Sequence, residues 1–162
     1  MLTIKELLTT AIADHQAVAV LGCGSPLRGD DAAGSQVAER LADLGSGSDR
    51  RFAAFFGDVA PENLTGEIKR FAPQLLLVID IADMGLEPGQ FQIIDMDKIG
   101  GVSFSTHKLP LPIILDYLQK ETGCRIVILG IQAASLEFLA EMTPAVAQTV
   151  DEIVLALREL LG

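Results

Sequence analysis

Apolar and polar positions along the chain follow two different periods. Compact apolar runs of strand length occupy residues 17–23, 51–56, 74–80, 91–95 and 125–131, the pattern of strands covered on one or both faces. Between most of them the apolar positions recur at helical spacing. Ile4, Leu7, Leu8 and Ile12 predict an N-terminal helix, Val37, Leu41 and Leu44 a second, and Leu64, Ile68 and Phe71 a third. Residues 109–118 predict a fourth, opened by Pro110 and Pro112, which are tolerated in a first turn whose N–H groups lack intrahelical partners. Thr143-Pro144 reads as N-cap and first residue of a final helix. Its stripe of Val146, Val150, Ile153, Val154, Leu157 and Leu161 is suited to packing on a sheet.

Strands alternating with helices predict an α/β fold: one domain over residues 1–162, a three-layer sandwich whose mostly parallel five-stranded sheet carries helices on both faces. Residues 90–95 break the alternation. Only the segment Met84-Gly85-Leu86-Glu87-Pro88-Gly89 precedes them, too short for a parallel crossover, so an antiparallel edge strand is expected there. Residues 45–48 and Gly100-Gly101 read as loops, and no repeat or low-complexity tract interrupts the pattern.

The first strand runs into a turn rich in glycine and then into two adjacent carboxylates, Asp30 and Asp31. Backbone N–H groups at a helix N-terminus form an anion site, but the nucleotide signatures are not met. Leu27 stands where G-x-G-x-x-G needs its third glycine, and no Gly-Lys-Ser/Thr follows. Two aspartates at that place repel phosphate and suit a cation. One of them, Asp30, has an ordinary use as a helix-start cap, worth ~0.3–1 kcal/mol against the helix dipole; a second carboxylate does not.

Composition narrows the class. The 162 residues are 49% hydrophobic, enough for a core that is stable without disulfides or structural metal. Residues 1–15 lack the apolar centre of a signal peptide, and no later run has the length of a membrane span, so a cytoplasmic protein without direct membrane insertion is expected. Cys23 and Cys124 fall in or beside strand runs and are expected as buried, reduced thiols. The net charge is −10, from 22 acidic and 12 basic residues, which makes nucleic acid a poor partner. With no long apolar stripe left over once the sheet is covered, a monomer is the expectation.

In an open α/β sheet, ligands bind outside the carboxyl ends of the strands. Asp31 follows the first strand, Asp80 closes the third run with Asp83 just beyond, and His107 precedes the proline-led helix. Two carboxylates and an imidazole suit a borderline divalent metal and leave coordination positions open for substrate. Thr106 is a candidate to orient His107 or to cap the following helix, Gln132 a candidate to line the cleft after the last strand, and His15 is assigned no function. No Ser-His-Asp or Cys-His arrangement is recognisable, although Cys23 and Ser25 lie close enough to the turn to keep covalent chemistry open.

Several ordered motifs sharpen this reading: LGCGSPLRGDDAAG over 21–34, APEN over 60–63, VIDIADMGLEPGQFQIID over 78–95, THKLPL over 106–111 and ILGIQ over 128–132. With them the chain resembles the NiFe-hydrogenase maturation endopeptidases, and most of all the branch that processes the large subunit of formate-hydrogenlyase-type hydrogenases (hydrogenase 3). The resemblance implies an endopeptidase that removes the C-terminal extension of a large-subunit precursor after nickel insertion. It places nickel contacts and catalysis on Asp31, Asp80 and His107, with the nickel supplied by the substrate rather than held at rest. The chain departs from the family pattern after the second strand, where the frequent Asp-Gly-Gly appears as Phe56-Gly57-Asp58. The carboxylate is thereby shifted two positions along, and Asp58 is left an accessory role. That departure supports the rival reading, a non-proteolytic, nickel-dependent checkpoint protein for the large subunit. A third reading, a plain small-ligand α/β domain, predicts anion binding at the glycine-rich turn and no response to nickel.

Overall fold

The structure is a computed structural model, and it describes residues 1–45, 50–104 and 109–162. Five parallel or antiparallel neighbours form the main sheet: β1 (Ala17–Cys23), β2 (Arg51–Asp58), β3 (Leu75–Asp83), β4 (Phe91–Ile94) and β6 (Arg125–Ile131), in the order β2-β1-β3-β6-β4. β2, β1, β3 and β6 are parallel, and β4 runs antiparallel at the edge beside β6. The antiparallel edge follows from the short connection after β3, as the spacing of residues 84–89 predicted. A sixth strand was not expected. It is the two-residue β5 (Ser103–Phe104), paired antiparallel with Ala82 and Asp83, and a two-residue strand has no period for a sequence to display.

Alternation along β1 and β3 divides the core in two. Val18, Val20, Leu75, Leu77 and Ile79 face one side, where they meet α1 (Ile4–Ile12), α2 (Ala33–Leu41) and α5 (Pro144–Leu161). Ala19, Leu21, Cys23, Leu76 and Val78 face the other, beneath α3 (Thr65–Phe71) and α4 (Leu111–Thr122). The chain leaves β1 through α2 on the first face and returns from β2 to β3 through α3 on the second. Strand order therefore reverses between β1 and β3, which opens a crevice above their carboxyl ends.

Two glycines bring α2 down onto that crevice. A Cβ on Gly22 would lie 2.0 Å from the Gly34 carbonyl oxygen, and one on Gly34 would lie 2.3 Å from that of Ile79 and 2.4 Å from that of Cys23. Only bare backbone at both positions lets the start of α2 sit against the ends of β1 and β3. The turn Gly29–Ala32, which carries both aspartates, is thus pressed against the sheet rather than held out in solvent: Asp30 is 0% exposed and Asp31 4%.

One boundary needs correction. Asp80 was expected to close the third strand, because a carboxylate ordinarily ends a buried run. The strand instead continues through Ile81 and Ala82 to Asp83, and Asp80 stands fully buried within it, opposite Gly130 of β6.

Candidate active site

Asp31 and Asp80 reach the same region from opposite layers. Asp31 comes from the turn that begins the α2 layer. Asp80 lies in β3 and shares its strand face with Val78 and Ala82, on the α3 and α4 side. Between them sits Cys23, the last residue of β1. Burial pushes the Cys23 thiol well above its ordinary value, and the negative charges of Asp80, Asp31 and Glu62 push it further. The three carboxylates therefore lie within electrostatic reach of this thiol.

Each aspartate is held by backbone. The Ser25 N–H donates to Asp31 Oδ2 at 2.8 Å, and Gly24, at φ +115°, makes the turn that permits it, since a Cβ there would lie 3.0 Å from Asp31 Oδ1 and 2.0 Å from the Asp31 carbonyl oxygen. The Ile81 N–H donates to Asp80 Oδ1 at 2.9 Å. Asp31 Oδ1 is different: it is buried and has no hydrogen-bond partner among the described residues. An unsatisfied buried carboxylate oxygen costs about 1–3 kcal/mol or more relative to a satisfied one, and among the described residues nothing offsets that cost through a hydrogen bond.

The residues expected alongside this pair fare differently. His107 and Thr106 lie outside the described residues, and among those that are described no three His, Cys, Asp or Glu side chains are arranged to hold a metal by themselves. Asp58 is exposed, at φ 47°. A β-bulge at Gly57 puts Asp58 opposite Cys23, after Gly22 has paired with Phe56. Asp58's carbonyl oxygen accepts the Gly24 N–H at 2.8 Å, so its described contact is through backbone and serves the turn. Gln132 does line a cleft. Its Oε1 accepts the N–H groups of Met84 (2.8 Å) and Leu86 (3.3 Å), and Nε2 donates to Asp83 Oδ1 at 3.4 Å. That cleft, about 350 Å³, runs from Ile81 and Asp83 past Gln132 to Ser135 and Leu136.

Asp30 was expected as a helix-start cap and is not one. Its carboxylate accepts the N–H groups of Ala134 (2.8 Å), Ser135 (3.1 Å) and Thr143 (2.7 Å), and the Thr143 hydroxyl at 2.9 Å. Thr143 is the residue before α5 as expected, but its side chain turns to Asp30 instead of to its own helix. Sequence reading also passed over Glu62 as a site residue. The turn Pro61–Leu64 places it near Cys23, and its Oε2 is buried without a partner among the described residues. The signal was available in the APEN motif directly after β2, whose proline starts a turn that packs on Gly57.

Cys23 and Cys124 are both buried and unbonded to each other. A thiol buried and raised in this way is a poor nucleophile in the native fold. Iodoacetamide at pH 8 is accordingly expected to leave Cys23 unmodified in the native protein and to alkylate it in guanidinium, read by peptide mass spectrometry. Rapid native labelling would contradict the buried, protonated thiol.

An α/β domain that places buried aspartates near the switch point of its sheet has the general layout of an enzyme of this fold class, with its site at the strand ends. The hydrogenase maturation protease family profile matches residues 57–159, and the chain belongs to that family. Over 83% of its length it is 36% identical to the hydrogenase 3 maturation protease of Escherichia coli K12, covering 85% of that protein. Its fold superposes on the crystal structure of the [NiFe] hydrogenase maturation protease HycI from Thermococcus kodakarensis with a TM-score of 0.86, at 32% identity, covering 96% of this chain and 98% of the other. The solution structure of the endopeptidase HycI from Escherichia coli gives 0.75 at 32% identity, covering 90% and 92%. The protein is a maturation protease, a peptide hydrolase.

Proposed function

We propose that this protease removes the C-terminal extension of a NiFe-hydrogenase large-subunit precursor after nickel insertion, and that it recognises the nickel carried by that substrate. The observation that supports the reading best is Asp31 Oδ1, a buried carboxylate oxygen with no partner among the described residues, on a residue that with the fully buried Asp80 acts on the Cys23 thiol. A nickel ion docking on Asp31, Asp80 and His107 gives that oxygen the charge partner it lacks, and offsets the cost of keeping it dry. Precursor without nickel brings no such gain, so cleavage is coupled to metal insertion through the substrate's own affinity.

Once the substrate is docked, the scissile peptide lies beside the carboxylates. With nickel held by Asp31, Asp80 and His107, the metal would supply Lewis-acid polarisation, and one of the two carboxylates would take the proton from the attacking water for delivery to the leaving amine. Hydrogen bonds from Ser25 and Ile81 keep the two aspartates in place while this happens.

Mass spectrometry of a nickel-loaded large-subunit precursor from the same source, incubated with this protein beside a nickel-free control, tests the proposal. Loss of a C-terminal peptide only from the loaded sample is expected. Cleavage of both samples refutes nickel recognition, and a stable complex with an intact, loaded precursor favours the non-proteolytic checkpoint.

A further inference from the structure

The loop over residues 132–143, between β6 and α5, combines two properties that ordinarily exclude each other. It is firmly held. Asp30, with no exposed surface, accepts three of its backbone N–H groups and one hydroxyl, and donates its own N–H to the Ser135 carbonyl at 2.9 Å. A second tether joins the Leu139 N–H to the Leu27 carbonyl at 2.7 Å. Yet the outer side of this anchored loop puts large apolar side chains into water: Leu136 at 40%, Phe138 at 59% and Leu139 at 71% exposure, with Leu27 at 54% across the tether. Leu139 is moreover held at φ 62°, a left-handed conformation that costs a leucine about 1–2 kcal/mol. Fixing apolar side chains in solvent by means of a buried charge stabilises nothing within the chain itself, and such clusters mark interaction surfaces.

Two further features say what covers it. The surface is continuous with the proposed site: Leu136 and Ser135 also line the cleft that begins at Ile81, the neighbour of Asp80, while Asp30 is the neighbour of Asp31. The surface is also acidic. Glu137 and Glu141 are exposed between the apolar residues, and Asp83 stands at the far end of the cleft. A cover that matches both the apolar residues and the interleaved negative charge carries apolar and basic side chains in alternation.

We infer that the loop over residues 134–142 is the docking face for an extended segment of the protein substrate in which apolar and basic side chains alternate, and that Asp30 anchors this face beside Asp31. The inference rests on the protease reading for its occupant. In it, Asp30 and Asp31 divide the work of the turn, one holding the surface that receives the chain and the other facing the bond to be cut.

Two measurements test it separately from that reading. In the first, the double variant Phe138→Ser/Leu139→Asn is compared with wild type on the nickel-loaded precursor; asparagine accepts the left-handed backbone, so the loop keeps its shape. KM is expected to rise by about tenfold or more with kcat within about twofold, the signature of lost uniform binding. The control Leu155→Ser, an equally exposed leucine (62%) on α5, is expected to change neither. A double variant with wild-type KM overturns the docking face while leaving the protease intact. In the second, amide chemical shifts of the wild-type protein are followed as a Leu-Lys alternating heptapeptide or its Leu-Glu counterpart is added. Shifts confined to residues 27 and 134–142, with the lysine peptide alone, are expected. Their absence, or an equal response to both peptides, overturns the inference even if the precursor is cleaved normally. If wild type cleaves no precursor, the protease reading fails and the peptide shifts still decide the docking face.

Discussion

Replacing Asp31 by asparagine is expected to lower precursor processing by about 10²–10⁴-fold, the range lost when a positioned carboxylate is removed from proton transfer, while the protein stays folded. Asparagine keeps the side-chain oxygen that accepts the Ser25 N–H and fills the same volume, so the turn has no reason to open. What it removes is the negative charge at Oδ1, the oxygen left without a partner. Asp80→Asn is expected to behave alike, because the Ile81 N–H still finds an acceptor. A gel assay of cleavage, together with a thermal melt of each variant, checks both halves of the expectation. Full processing by both variants would overturn the proposed site, and a collapsed melting temperature would mean that these carboxylates are structural.

Asp30→Ala is expected to do the opposite. This substitution leaves the N–H groups of Ala134, Ser135 and Thr143 and the Thr143 hydroxyl without the acceptor they share. It also removes a fully buried side chain from between α2 and the loop ahead of α5. Each stranded donor costs about 1–3 kcal/mol where water cannot replace the acceptor, and since the loop relaxes in part, a total of about 3–5 kcal/mol is expected, the size seen when a buried charge network is broken. For a chain of this length that lowers the melting temperature by about 10 °C or more. Differential scanning calorimetry reads it directly. A variant that melts with wild type would show that the clamp is not maintained in solution. Adjacent residues of one turn thus differ in kind, one separable from stability and the other not.

The distinction was only half legible in the sequence. That two carboxylates after a first strand exceed what a helix start needs was clear from the residues alone, and Asp31 and Asp80 were singled out there as candidates. The role of Asp30 was not. Its partners lie more than a hundred residues away, at Ala134, Ser135 and Thr143, and nothing local to Asp30 distinguishes a cap from a long-range clamp. The reverse holds for Asp80, whose charge after an apolar run made it look like the end of a strand. A lone charge does end a buried run unless the fold satisfies it, and here the fold does.

Asp58 shows the limit of counting along a strand. Shifting a carboxylate by two positions restores its side only where the strand stays regular. A bulge at Gly57 breaks that regularity, and Asp58 ends exposed on a left-handed backbone. Glu62, from a turn whose direction no periodicity reports, lies within electrostatic reach of Cys23.

The sequence by itself determined the class of fold, five of the six strands and the five α-helices with boundaries within a few residues, the antiparallel edge at 91–94 and the family, because each rests on short-range patterns: a period of two or 3.6, a connection too short for a crossover, a run of motifs in order. Tertiary structure alone decided which polar group faces which. Burial of Asp31 Oδ1, the clamp from Asp30 to the 134–143 segment and the apolar surface it presents all depend on where α2 comes to rest on the sheet. That placement is set by the contact of Gly22 with Gly34, two backbones approaching across the layers. Such contacts join residues distant in the chain, and their energies belong to the packed whole rather than to any segment read alone.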